Sequence, residues 1–280
     1  MARPLRVEMA GGHYHVISRG IERRTIFRDQ ADHQKFIEIL GQVATVFGWR
    51  VHAWVLMGNH FHLLLQTTQA NLSRSMQRLN QHYAAYFNRR YRRVGPLWQG
   101  RFKAVVVDWD DAGLEVSRYV HLNPVRVRRL GLSRAQREDG AHGPDQPRDV
   151  KAIRERLREL RKYPWSSWRM YRGEQVPPNW LEMESTLEAF RHTGKRHRRL
   201  DEAQGLRAYV AWVEESVREP GGYLQGARAF GLVDRTHGIW STGAQAVARG
   251  TGGGAGGSRA GAPAGSVAGG GGAPGGKSTG

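Results

Sequence analysis

Two histidines separated by one apolar residue, His60-Phe61-His62, are the pair in this chain best placed to do chemistry together. Successive side chains of a β-strand point to opposite faces, so both imidazoles emerge on one side while Phe61 turns into the core. Neutral imidazoles are common ligands of divalent metals. Two of them do not complete a coordination sphere, and the pair also fits two hydrogen-bonded positions of a half-buried strand. A second constellation offers what is missing. In Tyr119-Val120-His121-Leu122-Asn123-Pro124 a phenol and an amide stand four residues apart on one helix face, where a nucleophile and a carbonyl-oxygen ligand can address one ion. Glu115, four residues before Tyr119, shares that face as a base or as a group behind the ligands. A phenol has an ordinary pKa of about 10 and needs such help at neutral pH, and Arg118 and His121 are further candidates to supply it. On residue type alone Tyr119 also reads as a core aromatic, and Asn123 as a helix-end residue before proline.

These residues need a frame to hold them. Val51–Met57 and His60–Leu65 flank the dipeptide Gly58-Asn59, a good signal for a two-residue β-hairpin. Ahead of it, His13–Arg19 alternates as a strand ended by Gly20. A helix capped by Asp29 then carries Phe36, Ile37, Leu40, Val43, Ala44 and Phe47 at helical spacing. Asn71-Leu72-Ser73 opens a second helix through Met76, Leu79, Tyr83 and Phe87, and Lys103–Val107 makes a fourth strand. The order β-α-β-β-α-β predicts an α+β fold: an antiparallel sheet of ferredoxin or RRM-like type with helices on one face. Asp110–Leu122 is a further helix, stopped at Asn123-Pro124 because the residue before a proline disfavours the α region.

Four segments follow from the pattern. Residues 1–130 form the core with its metal-site candidates, and 131–149 are a polar loop or insertion rich in Arg, Asp, Gly and Pro. Residues 150–240 form a helical C-terminal appendage, with a basic helix at Val150–Lys162, a break at Tyr163–Trp168, and amphipathic stretches at Leu181–His192 and Leu200–Val217. Residues 241–280, rich in Gly, Ala and Ser, lose apolar periodicity and are expected to be a disordered tail.

At 280 residues the chain is long enough for an enzyme with a substantial core. It has no cysteine, which excludes disulfides, thiolate metal sites and cysteine nucleophiles, so any metal takes nitrogen and oxygen ligands. The net charge of +18 favours a polyanionic partner. No apolar run is long enough to span a membrane and the first residues lack a signal-peptide core, so no membrane partner and a cytoplasmic location are expected. Arginine interleaved with aromatics sharpens the partner: Tyr83, Tyr86, Phe87, Arg89, Arg90, Tyr91, Arg92 and Arg93, then Trp98, Arg101 and Phe102, suit phosphate neutralisation with base stacking on single-stranded or distorted nucleic acid.

Four blocks carry a resemblance: Tyr14–Gly20, Ala53–Leu64, Gly95–Lys103 and Ser117–Arg126. In sequence and order they resemble the single-tyrosine HUH transposases, above all the REP-associated tyrosine transposase branch and its insertion-sequence relatives. The likeness runs to about residue 128, resumes at Tyr163–Ser167 and then fades; Gly58 stands where relatives commonly carry proline. The resemblance implies that His60 and His62 are metal ligands, Asn123 the third protein ligand and Tyr119 the nucleophile, with a divalent metal, Mg2+ or Mn2+, as cofactor. It implies single-stranded or hairpin DNA as partner, cleaved to a 5′-phosphotyrosine and a free 3′ hydroxyl and then rejoined. Arg89, Arg90, Arg92, Arg93, Trp98, Arg101 and Lys103 are the expected DNA contacts. Both monomers and homodimers occur in the family. Two other readings remain distinct in their chemistry: a nucleic-acid-binding protein without catalysis on an RRM-like sheet, and a metal-dependent nuclease that uses water and forms no covalent link.

Overall fold

The computed structural model describes residues 7–127, 130, 150–193 and 201–218. The insertion expected at 131–149 and the tail expected at 241–280 lie outside the described residues. Strand β1 (His13–Arg19) is followed by α1 (Gln30–Phe47), β2 (Trp49–Met57), β3 (His60–Thr67), α2 (Leu72–Arg90) and β4 (Lys103–Val107). The strands form one antiparallel sheet in the order β2-β3-β1-β4, so the hairpin strand β3 is inserted between β1 and β2, the split topology anticipated.

Local chemistry sets the element ends. Asp29 accepts the Asp32 backbone N–H at 3.1 Å and caps α1, while Gly48 ends it in the left-handed region at φ 67°, which a residue without Cβ adopts without penalty. Between β2 and β3, Met57 pairs directly with His60, so Gly58 and Asn59 form the two-residue turn. Neighbouring chain fixes this turn: the Ile26 N–H donates to the Gly58 carbonyl at 2.8 Å and the Gly20 N–H to the Asn59 carbonyl at 2.9 Å. Gly20 admits no side chain, since a Cβ there would stand 2.2 Å from the Arg24 carbonyl oxygen.

Alternation divides β3 between two cores. Phe61, Leu63 and Leu65 join Phe36, Leu40, Met76 and Tyr83 beneath α1 and α2. Leu64 joins a second cluster with Ala53, Val55, Val116 and Tyr119. In β2 the register shifts between Val51 and Ala53, and this bulge lets Trp49 and Val51 share a face with Trp54 and Leu56 despite their odd spacing.

The two core helices lie together on one face, as expected, and the other face is covered as well. α3 (Trp109–Leu122), α4 (Val150–Lys162), α5 (Trp168–Tyr171), α6 (Glu184–Thr193) and α7 (Glu202–Arg218) form the second layer. The uninterrupted buried run Phe61–Leu65 is the signal of two-sided burial, because a strand with one wet face keeps polar residues at every second position. The segment before α5 also closes the free edge of β2. The Leu56 N–H donates to the Trp165 carbonyl, the Ser167 N–H to the Trp54 carbonyl, and the Tyr163 and Tyr171 hydroxyls to the Leu56 and His52 carbonyls. Among the described residues no helix is long and apolar enough to cross a membrane.

Candidate active site

The site is assembled where β3, β1 and α3 meet. His60 and His62 lie on the α3 face of β3 with ring centroids 5.0 Å apart. His62 is opposite Ile17 in β1, which brings His15, two residues back on the same face, diagonally beside it. His15 Nε2 and His62 Nδ1 are 3.0 Å apart in a buried hydrogen bond. His60 Nδ1 donates to Asn59 Oδ1 at 2.7 Å, while the Asn59 amide NH2 donates to the Arg23 carbonyl. The Nδ1 atoms of both histidines are thus engaged, which leaves Nε2 as the atom each could offer to a metal.

Burial keeps these imidazoles neutral. It lowers His60 to about 4, helped by the charge of Arg19, and His15 to about 3, helped by Arg126. His62 lies well below its ordinary value, first through burial and then through the neighbouring imidazoles and arginines. A neutral imidazole offers its lone pair to a metal at pH 7.

Tyr119 comes from α3 and is buried, as is nearly the whole inner face of that helix. Asp108 caps the helix by accepting the Asp110 N–H at 3.2 Å. The Tyr119 ring stands edge-on to His62 at 5.7 Å and to His15 at 5.4 Å. The Arg126 guanidinium lies over it at 4.2 Å. Arg19, half-buried, acts electrostatically on Tyr119 and His60. Asn123 sits one helical turn after Tyr119 in a 3-10 turn (Asn123–Val125), and its NH2 donates to the Tyr119 carbonyl at 2.9 Å. That bond commits the nitrogen and leaves the amide oxygen as the donor atom for a ligand role. Among the described residues no cluster of three or more His, Cys, Asp or Glu stands ready for a metal, so a metal at His60 and His62 would need oxygen ligands from elsewhere. Two imidazole nitrogens and one amide oxygen fit a borderline or hard divalent ion.

The other candidates point elsewhere. Glu115 pairs with Arg118, whose guanidinium lies 4.1 Å from the Trp212 ring of α7. Both also act on Tyr209, so this pair faces α7. His121 is fully buried, with Nε2 3.0 Å from Ser167 Oγ and Nδ1 3.1 Å from the Tyr209 hydroxyl, and burial holds it at about 3. It ties α3 to the C-terminal helices.

The expected DNA contacts separate into groups. Lys103 is exposed at the start of β4 and pairs with Ile17, in the same cross-sheet row as His62. Arg89, Arg92 and Arg101 are exposed. Arg90 is instead bound to acids, at 2.6 Å from Asp29 and 2.7 Å from the fully buried Asp32. Arg93 lies over the Phe87 ring, and the Trp98 indole N–H donates to the Asn80 carbonyl at 2.9 Å. His15, Asn59, Arg19 and Arg126 carry no role in the residue-type reading. Strand alternation places His15 and Arg19 on one face, but only the β1–β3 register shows that this face is the one of His60 and His62.

Residues 8–123 match the model of the family described as IS200-like transposases. The family is one of DNA transposases. Among solved structures, a REP-associated tyrosine transposase bound to a REP hairpin is 14% identical, with 64% of this chain and 89% of that chain covered at a TM-score of 0.46. A transposase candidate from Deinococcus radiodurans is 20% identical, covering 43% of this chain and 94% of that chain at a TM-score of 0.31. No curated protein matches the sequence.

Proposed function

We propose that this protein cleaves and rejoins single-stranded DNA beside hairpin structures, with Tyr119 as nucleophile and His60, His62 and Asn123 holding a divalent metal, Mg2+ or Mn2+. The observation that carries this reading is the position of the Tyr119 ring beside His62, beneath the Arg126 guanidinium. A nucleophile, a pair of neutral nitrogen ligands and two arginines fit a phosphodiester better than a neutral substrate.

The Tyr119 oxygen attacks the phosphorus and loses its proton, the bond to the 3′ oxygen breaks, and that oxygen leaves as a hydroxyl. The phosphate stays on the 5′ end of the downstream strand as a phosphotyrosine ester. The ester bond retains the energy for rejoining, so no nucleotide cofactor enters. A bound divalent ion supplies Lewis-acid polarisation of the scissile phosphate. Arg19 and Arg126 stabilise negative charge on the phosphate oxygens and on the phenolate. Lys103, Arg89, Arg92 and Arg101 hold the strand by its phosphates.

Incubation with a labelled single-stranded hairpin oligonucleotide and Mn2+ is expected to give a DNA adduct on a denaturing gel, absent with Tyr119→Phe. Cleavage that persists in Tyr119→Phe would establish a water-using nuclease. Binding without cleavage by the native chain would establish a non-catalytic binder.

A further inference from the structure

A cavity of about 590 Å³ lies between α2 and residues 95–102. Its walls combine three kinds of group. Gln77, Asn80 and Gln81 present amides, Trp98 presents an aromatic ring, and the exposed Arg101 brings a cation to the same wall. Asn80 is the informative member. It is 8% exposed, its NH2 donates to Ser18 Oγ at 3.0 Å, and its Oδ1 is buried with no hydrogen-bond partner. A buried acceptor without a donor is destabilising, and a ligand N–H would satisfy it.

We infer that this cavity receives one unstacked nucleobase of the bound DNA, with Asn80 Oδ1 accepting from the base edge and Trp98 and Arg101 flanking it. The inference rests on the DNA-processing reading above and adds a recognition site to it. Size suits a heteroaromatic ring with its sugar. The chemistry suits it as well, because amides pair with the donor and acceptor pattern of a base edge while an aromatic ring and a guanidinium plane accept its π-face. Location completes the case. The cavity wall runs directly into the active-site end of β1: the Gln99 N–H donates to the Arg19 carbonyl at 2.9 Å, the Ile21 N–H donates to the Leu97 carbonyl at 2.9 Å, and Arg19 pairs with His60. The loop that walls the cavity is thus tied by backbone hydrogen bonds to the residue that pairs with His60.

The test uses the full chain without added metal, so that no cleavage occurs, and fluorescein-labelled octamers dA8, dC8, dG8 and dT8 beside an abasic octamer, read by anisotropy at fixed salt. The native chain is expected to bind at least one base-bearing octamer about tenfold more tightly than the abasic one, in line with stacking of a single base. Ala84→Phe, which fills the cavity from half-buried Ala84 on α2, is expected to remove that preference and to keep the abasic affinity. Gln77→Ala with Gln81→Ala, at two exposed helix positions that leave the core intact, is expected to reduce the preference several-fold. A native chain that does not distinguish base from abasic strands, or an Ala84→Phe chain with native circular dichroism that still does, overturns the inference. The Tyr119 adduct is scored separately: an adduct-forming chain with no base preference refutes the cavity assignment and leaves the catalytic reading intact.

Discussion

Beneath α1 and α2, Phe61 packs against Phe36 at 4.7 Å and Trp98 at 5.8 Å; one residue along the same strand and on the other face, His62 meets His15 through a 3.0 Å hydrogen bond and Tyr119 edge-on at 5.7 Å. Both side chains are almost fully buried. The difference lies in what burial is used for. On the first face it removes apolar surface from water and sets stability. On the second it strips water from imidazoles, keeps them neutral and concentrates the charge of Arg19 and Arg126 on whatever enters. Burial by itself therefore does not mark a residue as structural; the hydrogen-bonding atoms left over do.

The sharpest way to break this contrast is to substitute neighbouring residues of β3. Phe61→Ala is expected to cost about 3–5 kcal/mol in urea unfolding, because the cavity cannot collapse between two helices and the sheet. His62→Ala is expected to reduce adduct formation to background while DNA affinity stays largely intact, since phosphate contacts elsewhere carry binding. If Phe61→Ala left stability unchanged, or His62→Ala kept full cleavage, the division between the faces would be wrong.

His15 tests the same division more finely. His15→Phe keeps a ring of similar shape but removes the nitrogen that holds His62, so Mn2+ affinity measured by calorimetry is expected to fall about 10–100-fold with the fold retained. Native Mn2+ affinity in that variant would show that His62 needs no such partner.

A third comparison concerns pH. His52, in the β2 bulge away from Tyr119, is held at about 3, chiefly by burial and then by the charges of His13 and Arg50, against a hydrogen bond to the Glu182 carbonyl. Between about pH 3 and pH 6.5 the unfolded chain takes up a proton at this residue and the folded chain does not, so stability rises with pH across that window and is lost on acidification. His52→Gln is expected to flatten the slope, by at most about 1.4 kcal/mol per pH unit, in urea unfolding at pH 4.5 and 7.5. An unchanged slope would assign the acid sensitivity to other groups.

The smallest effect separates the arginines. Arg89→Ala or Arg92→Ala is expected to lower the slope of log affinity against log salt by about one charge. Arg90→Ala is expected to leave that slope nearly unchanged and to lower stability instead, because its guanidinium already neutralises Asp29 and Asp32. A full unit lost with Arg90→Ala would return it to the DNA surface.

Much of this was legible residue by residue. The Gly58-Asn59 turn and the Asp29 cap are local events decided by a few neighbouring side chains, and each forms where its chemistry predicts. α3 does end at Leu122, but Asn123 keeps α-region angles (φ −53°, ψ −40°) and the chain runs on as a 3-10 turn through Pro124, so the constraint of proline on its predecessor is not what ends the helix. The second helical layer was partly legible, since five buried positions in a row at Phe61–Leu65 require cover on both faces. Arg90 was not: its partners Asp29 and Asp32 lie about sixty residues away, and a basic cluster read along the chain looks the same whether or not acids meet it.

Strand periodicity put His60 and His62 on one face, helical spacing put Tyr119 on a helix ending near Asn123, and composition supplied the positive charge that favours a polyanion, because periodicity and composition are properties of short stretches and of sums. Only the tertiary structure decided that Tyr119 stands at His62, that His15 and Asn59 hold the two imidazoles by their Nδ1 atoms, and that Glu115 and His121 turn to the C-terminal helix instead. Those outcomes depend on strand register and on the rotation of α3 over the sheet, which are set by packing between residues distant in the chain.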